Sequence, residues 1–494
     1  MKKLLVFLLF GTILSSAQDE MKVSLGEVVR TALENNLDIK LQKLQVDSSK
    51  IAFKLTKTNY EPSVDASAQL NSSDRAPRNS NEGDAGSKIT DEQTIFNLTF
   101  SKAERYATNW QVGISANGFD TSAANSFGNY YGSSAWIGVE QKLLKGFSLD
   151  PEIRLKDEYI AKGNLELSRL DLKLTIVDIL STTEGAYWDL VNAIENQAAI
   201  ENSLDLAKQL YQQNKTKIEI GTLAPIELVF AESNVASKES ELVAAENRVK
   251  QAEDVLRKIM NLPDSDWDRT MRPIDSPNID IMDVTKNEAF DAAFRYRAEL
   301  DKQRINEENE QLNLKYFKNQ RLPDLKLNAS YSAAGSSYPF DEKNSYLEAL
   351  SNALERQYPG YDLKLSLAWT PFNKFNDLKI TEAELRLRQR ELEVEQTRKT
   401  IREEVRGALR ELKSAEKSIK ANEKTRKYRE ESLAAEIQKF QNGLTTNYQI
   451  AEAQDQLTLA ISQEIQAKIS YRKALIQYYK AIGQLSDNHG IRVD

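Results

Sequence analysis

One pattern occurs twice in this sequence and limits the folds open to it. Gly221-Thr-Leu-Ala-Pro-Ile-Glu-Leu-Val-Phe-Ala231 is echoed by Gly443-Leu-Thr-Thr-Asn-Tyr-Gln-Ile-Ala-Glu-Ala453, with a small residue at +3, a polar one at +6, an aliphatic one at +7 and alanine at +10 from each glycine. Upstream, Pro62-Ser-Val-Asp-Ala-Ser-Ala matches Pro323-Asp-Leu-Lys-Leu-Asn-Ala, and Val139-Glu-Gln-Lys-Leu-Leu-Lys-Gly-Phe147 answers Leu367-Ala-Trp-Thr-Pro-Phe372. Each half therefore reads as helix, two or more strands, long helix, glycine turn, long helix. A unit that mixes short strands with very long helices cannot enclose a globular core by itself, which is not an enzyme's plan.

No proline follows Pro371, and between Phe372 and Gly443 the only glycine is Gly407. Good helix formers dominate that stretch, and about 70 residues at 1.5 Å each make a rod of roughly 100 Å. Ile401, Val405, Ala408, Leu412, Ala415 and Ile419 alternate steps of three and four, which is coiled-coil spacing. Beyond the second turn, Ala453, Ala460, Ala467, Ala474 and Ala481 recur every seven residues. The first copy keeps Ala231, Ala245 and Ala252 on that heptad but breaks it with Lys238. Further helices are predicted over Leu25 to Asn59, Pro151 to Ile220, Ile226 to Met260 and Asn287 to Gln320, so helix should exceed half the chain.

Between the helices polarity alternates with period two, over Val64 to Leu70, Trp110 to Ala116, Trp136 to Leu143, Leu325 to Tyr331 and Leu363 to Trp369, with Gln93 to Phe100 a further candidate. Runs of about ten residues are what a tilted outer-membrane strand needs. Tyr60, Trp110, Trp136, Tyr331, Tyr361, Trp369 and Phe372 lie near the strand ends as an aromatic belt would. The polar stretches Asn71 to Asp91 and Thr121 to Ser134 read as exposed loops, and Asn261 to Asp283 as an irregular connection between the halves.

Met1-Lys-Lys, an apolar run from Leu4 to Leu14 and the small residues Ser15-Ser-Ala17 read as a signal peptide, 1–17, cleaved near Ala17. That run of about 11 residues is well short of the ~20 a spanning helix needs. No later segment matches its length, so membrane insertion would have to be by strands. With no cysteine, disulfides, thiolate metal sites and cysteine nucleophiles are ruled out. Lys+Arg 66 against Asp+Glu 74 gives −8, and loss of Lys2 and Lys3 leaves 64 against 74, or −10, a poor balance for binding nucleic acid. His489 is the single histidine, and no phosphate loop, zinc-protease motif or nucleophile elbow is present, so neither catalysis nor a cofactor is expected. Asp264, Asp266 and Asp268 alternate as in a calcium loop, but Arg269 stands where that loop needs glycine, and a solvated acidic turn is the better reading. Tyr187-Trp188-Asp189-Leu190 on a helix reads as packing.

Val23-Ser-Leu-Gly-Glu-Val-Val-Arg-Thr-Ala-Leu-Glu-Asn-Asn36, Ala186-Tyr-Trp-Asp-Leu-Val191, the two glycine turns, Arg297-Ala-Glu-Leu300, Leu322-Pro-Asp-Leu325 and Trp369-Thr-Pro-Phe372, taken in order and spacing, resemble the TolC-like outer-membrane efflux proteins, the outer-membrane factors. The resemblance implies a mainly α protomer with a membrane β-barrel. Two repeats, about 22–262 and about 284–486, would form one TolC-like protomer over 18–494. Its long coiled-coil helices would build a periplasmic α-barrel, and about four strands within 62–144 and 323–371 would join the twelve-stranded barrel of a homotrimer. Four strands cannot close alone, and lipid does not tolerate an open edge, which agrees from below. The sequence departs from the family in its long first strand region and at Leu144-Lys-Gly-Phe147, where many members carry proline and aspartate.

The function implied is a passive exit duct in the outer membrane of a Gram-negative-type cell, for efflux or type I secretion. Its implied partners are a periplasmic adaptor (membrane fusion) protein, an inner-membrane transporter of RND or ABC type and outer-membrane lipid, with no nucleic acid. In the family the glycine turns form the periplasmic tip, which implies adaptor docking at Gly221, Thr222, Leu223, Gly443, Leu444 and Thr445. Gate carboxylates of relatives stand at +6 and +9 after the second glycine, here Gln449 and Glu452, and Glu227 holds +6 in the first copy. The alternative of a secreted coiled-coil stalk or adhesin leaves the matching strands unexplained, and a hydrolase on a helical scaffold lacks a nucleophile with its base.

Overall fold

The computed structural model describes residues 20–126, 128–277, 279, 281–341 and 343–490; the expected signal peptide lies outside them. In chain order the elements are β1 (Met21–Val23), α1 (Leu25–Asn35), α2 (Leu37–Thr58), β2 (Ser63–Arg75), β3 (Ile89–Ala103), β4 (Thr108–Thr121) and β5 (Tyr130–Lys142). Then come α3 (Pro151–Arg154), α4 (Lys156–Glu219), α5 (Ile226–Met260), β6 (Met271–Pro273), α6 (Lys286–Tyr296) and α7 (Ala298–Gln320). Last are β7 (Asp324–Ser337), α8 (Tyr346–Leu354), β8 (Tyr358–Ala368), α9 (Lys374–Gln441), α10 (Asn447–Ala481) and α11 (Leu485–Asn488). Among the described residues helix makes up 62% and strand 18%. The chain divides into two compact units, one of 1–45, 169–301 and 396–494, the other of 46–168 and 302–395.

In the first unit the two copies are built alike. Helices predicted to run unbroken over Leu25 to Asn59 and over Asn287 to Gln320 break at Asn36 and Arg297, where ψ is extended, 133° and 115°. Asn36 Oδ1 accepts from Asp38 N at 2.9 Å, and its Nδ2 donates to Ile259 O at 3.0 Å. Arg297 donates to Ala481 O at 3.3 Å and pairs with Glu299 and Glu404, each at 2.7 Å. Each break is thus tied to the end of the helix that follows a glycine turn, α5 or α10. Side-chain hydrogen bonds at the break serve backbone groups that a helix end leaves unpaired. Past those ends the chain turns through Asn261 (φ 47°) and Gly483 (φ 75°). Parallel pairing of β1 with β6, Met21 beside Met271, ties the connection between the copies back to the start of the first.

The coiled-coil stripe is buried as its spacing requires: Ile401, Val405, Ala408, Leu412 and Ile419 of α9 pack with Ala467, Tyr471, Ala474 and Ala481 of α10. The first copy's core joins Val28 and Val29 to Tyr187, Trp188, Leu190, Leu256 and Met260. Tyr187 donates to Asp275 Oδ2 at 2.7 Å, and burial, then that carboxylate, raises its pKa. The aromatic pair of α4 is a packing element.

The second unit holds one antiparallel meander of six strands, β2-β3-β4-β5-β7-β8. Every segment with alternating polarity is a strand, including the further candidate, so the protomer has six strands where the resemblance implies about four. β3 is hard to see because it opens polar, as Thr90-Asp-Glu-Gln-Thr94, before Phe96, Leu98 and Phe100 take up the alternation. Register makes one face apolar across the whole sheet: Val64 pairs with Phe100, then follow Val112, Ile137, Tyr331 and Tyr361. The neighbouring row, Ser63, Ser101, Gln111, Gly138, Ser330 and Asp362, is polar.

Pairing extends into polar sequence, so β2 runs to Arg75 and β5 begins at Tyr130, and the connections shrink to 76–88 and 122–129. Arg75 clamps the first of them, 2.5 Å from Glu82 and 2.7 Å from Asp91. Trp136, expected among the belt aromatics, lies on the polar face instead. A Cβ on Gly113 would come within 2.6 Å of its ring, so glycine there makes room for the indole. Helix α8 packs on the apolar face, with the Tyr346 ring 5.6 Å from Phe96 and 4.5 Å from Tyr131.

Candidate functional site

Both long helices α4 and α9 end in the same Schellman turn. Gly221 N donates to Ile218 O at 2.9 Å and Thr222 N to Lys217 O at 2.9 Å; Gly443 N donates to Phe440 O at 3.1 Å and Leu444 N to Lys439 O at 2.9 Å. Both glycines have φ 76°, and nothing lies within 4 Å of a Cβ built on either. What demands glycine is therefore the left-handed backbone and not space. Thr222 Oγ1 also donates to Lys217 O at 3.0 Å. The turns expose apolar side chains, Leu444 at 76% and, flanking the first turn, Ile220 at 68% and Ile226 at 56%. Leu223 and Thr445 are half-buried. Counting onward from the glycines misses Ile220 and Ile226; their signal was two isoleucines flanking a reversal.

The two turns are joined by side chains. Asn447 Nδ2 donates to Glu227 Oε2 at 2.7 Å, and the Lys217 ammonium lies 4.2 Å from the centre of the Phe440 ring. Gln449 closes a capping box on α10, its Oε1 accepting from Thr446 N at 3.2 Å and from the Thr445 hydroxyl. Thr445 Oγ1 also lies 3.0 Å from Glu436, whose carboxyl is held below its usual range by Lys439 first and Thr445 second. Glu452 is exposed on α10, in a groove with Phe230, Asn234, Asn447 and Asp455. The three residues expected at the gate thus have three different settings: Glu227 bonded across the tip, Gln449 turned back onto its own helix start, Glu452 facing solvent.

Lys238, the residue that breaks the first copy's heptad, is the group that residue counting passed over. Its side chain is 5% exposed and lies 2.7 Å from Asp455 of α10 and 2.9 Å from Glu241. Burial pulls its pKa down, but the carboxylates of Asp455 and Glu241 outweigh burial, so it stands above the ordinary lysine value. A buried cation at a core position ties α5 to α10 where the other heptad positions hold alanine.

The model of the outer membrane efflux protein family matches residues 28–262 and 291–484. The chain belongs to the outer membrane efflux protein family. This outer membrane efflux protein is accordingly a channel of the outer membrane, in a family of ducts and not of enzymes. Its fold is similar to that of the CmeC outer membrane channel of Campylobacter jejuni, at TM-score 0.67 and 17% identity over 93% of this chain and 86% of that one. The VceC outer membrane protein of Vibrio cholerae aligns at TM-score 0.64 and 12% identity over 93% and 96% of the two chains. The open state of the MtrE outer membrane channel of Neisseria gonorrhoeae aligns at 0.64 and 15% over 93% and 89%. No curated protein matches the chain in sequence.

Proposed function

We propose that this efflux channel is the passive exit duct of a tripartite efflux or type I secretion system, working as a homotrimer. A periplasmic adaptor protein and an inner-membrane transporter of RND or ABC type would feed it, and the duct itself would carry out no bond chemistry. Residues 1–17 would be its cleaved signal peptide and 18–494 one protomer, with repeats of about 22–262 and 284–486.

The observation that carries the reading is the sheet with one apolar and one polar face, the pattern of a strand array between lipid and a watery lumen. Assembly is supported by helix surfaces that lack a cover. On α2, Leu37, Leu41, Leu44, Ile51 and Leu55 are 57% to 65% exposed at coiled-coil spacing, and Phe375, Leu378, Leu385 and Leu392 of α9 are 52% to 69% exposed. Helices of neighbouring copies would cover both stripes.

In this reading Gly221, Thr222, Leu223, Gly443, Leu444 and Thr445 form the adaptor's landing surface, with Ile220 and Ile226 adding apolar area. Glu452 would ring the periplasmic entrance three times over, with Gln449 and Glu227 nearby. Fractionation, gel analysis and co-purification test the proposal. The chain should appear in the outer membrane as a heat-resistant trimer that brings an adaptor down with it. A soluble periplasmic monomer would refute it.

A further inference from the structure

We infer that all six strands of each protomer enter the barrel wall, with the β2 edge of one copy pairing with the β8 edge of the next, so that three copies close an eighteen-stranded barrel. The inference rests on the homotrimeric duct proposed above.

Within the described residues β2 and β8 each leave one edge unpaired, and their backbone groups need partners at membrane depth. Five antiparallel pairings separate the two strands, so they run in opposite directions and a second copy's β8 meets β2 antiparallel. The apolar face includes both edges, as Val64, Ala66, Ala68 and Leu70 on β2 and Tyr361, Leu363, Leu365 and Leu367 on β8. A hairpin lying outside the lipid wall would have no need of that match.

The stagger inside the sheet is already that of a closing barrel. Following the pairing row from Ser63, the first residue of β2, leads to Asp362 of β8, six residues short of that strand's end at Ala368 on the same rim. Six residues of ~3.3 Å over five spacings of ~4.8 Å give a strand tilt of about 40°, inside the range for membrane barrels.

About the same stagger carried across the copy boundary, with apolar kept against apolar, leaves two registers, Lys364 opposite Ser67 or opposite Gln69, and charge pairing favours the first. Leu363 then faces Ala68, Leu365 faces Ala66 and Leu367 faces Val64, and Lys364 gains Asp65 as its diagonal neighbour. Shifting by two residues keeps the faces but removes that carboxylate from Lys364. At equal tilt eighteen strands make a wall about one and a half times as wide as twelve, and roughly twice the cross-section.

The natural chain has no cysteine, so introduced pairs report cleanly. Full-length Ser67→Cys/Lys364→Cys protein, oxidised in native outer membranes, should run as covalent dimer and trimer. Ser115→Cys/Lys364→Cys should stay monomeric, because Ser115 shares the pairing row of Ser67 but β4 lies inside the sheet. The reverse pattern would mean that β4 is the edge and β2 with β3 lie outside a twelve-stranded wall, which overturns the inference and leaves the duct intact. If the first pair does not cross-link, the pairing is wrong; a surviving heat-resistant trimer then spares the duct reading, and its loss removes both. Counting strands in an imaged trimer in lipid nanodiscs decides independently, with eighteen expected and twelve refuting.

Discussion

Removing either partner of the Lys238–Asp455 pair should loosen the tip, but by unequal amounts, and the inequality follows from burial. The Lys238 side chain is 5% exposed, whereas Asp455 and Glu241 are 54% and 43% exposed. Lys238→Met leaves two carboxylates that water can reach and fills the core position with an apolar chain of similar length, a loss of about 1 kcal/mol or less. Asp455→Asn strands a buried ammonium with Glu241 alone, and a buried charged group that loses one of its partners costs about 2 kcal/mol. If the α5–α10 contact opposes opening, that is roughly a 30-fold shift toward the open channel, against fivefold or less for Lys238→Met. Single-channel recording in planar bilayers reads both through open probability, and protease sensitivity at 220–226 and 442–446 reads the same loosening without a current. The double variant should resemble Lys238→Met, since the aspartate matters only while the cation is there. Equal effects of the two single variants, or a larger one from Lys238→Met, would refute the argument from burial.

The exposed Gly443 turn should tolerate side-chain volume but not the loss of glycine: Gly443→Val costs about 1–2 kcal/mol in the left-handed region, so trimer abundance should persist on gels while export falls. His489 Nε2 lies 2.7 Å from Glu184, which raises its pKa above the ordinary 6.5 against burial's opposite pull. That stabilisation is full below about pH 6.5 and is lost as pH rises through the raised value, so amide protection around α11 should fall as pH is raised above about 6.5 in wild type and stay flat in Glu184→Gln. Glu452→Gln should weaken cation selectivity and divalent block in bilayers, and unchanged selectivity would remove Glu452 from the narrowest point.

The long helices and five of the six strands were legible because period is a property of sequence alone. Alternation at Val64, Ala66, Ala68 and Leu70 needs no partner to be seen, and neither does a heptad of alanines. The helix breaks at Asn36 and Arg297 were not legible, because apolar periodicity runs straight through both positions. What sets them apart is a capping asparagine followed by an acidic first turn, Asn36-Leu-Asp38, and an arginine whose carboxylate Glu404 is remote in sequence. β3 was half-legible for the converse reason: its pairing continues through polar residues whose facing is fixed by β2 and β4.

At the tip, legibility divides between backbone and side chain. The glycine at the end of each long helix announces a left-handed residue, and the structure gives both turns the same four backbone hydrogen-bond roles. Side-chain position along a helix does not announce a partner in the same way. Gln449 and Glu227 hold the same +6 place in their copies, yet one is consumed by its own helix start and the other bonds to Asn447. The decisive difference lies at +3 from each glycine: the Thr446 hydroxyl lets glutamine at N3 close a capping box, whereas Ala224 holds that place in the first copy and has no side-chain acceptor to complete one with Glu227. Glu227 is left free to reach across to the second turn. A threonine in one copy and an alanine in the other thereby make two equivalent positions into a cap and a tie, and the tie joins the two reversals of one protomer.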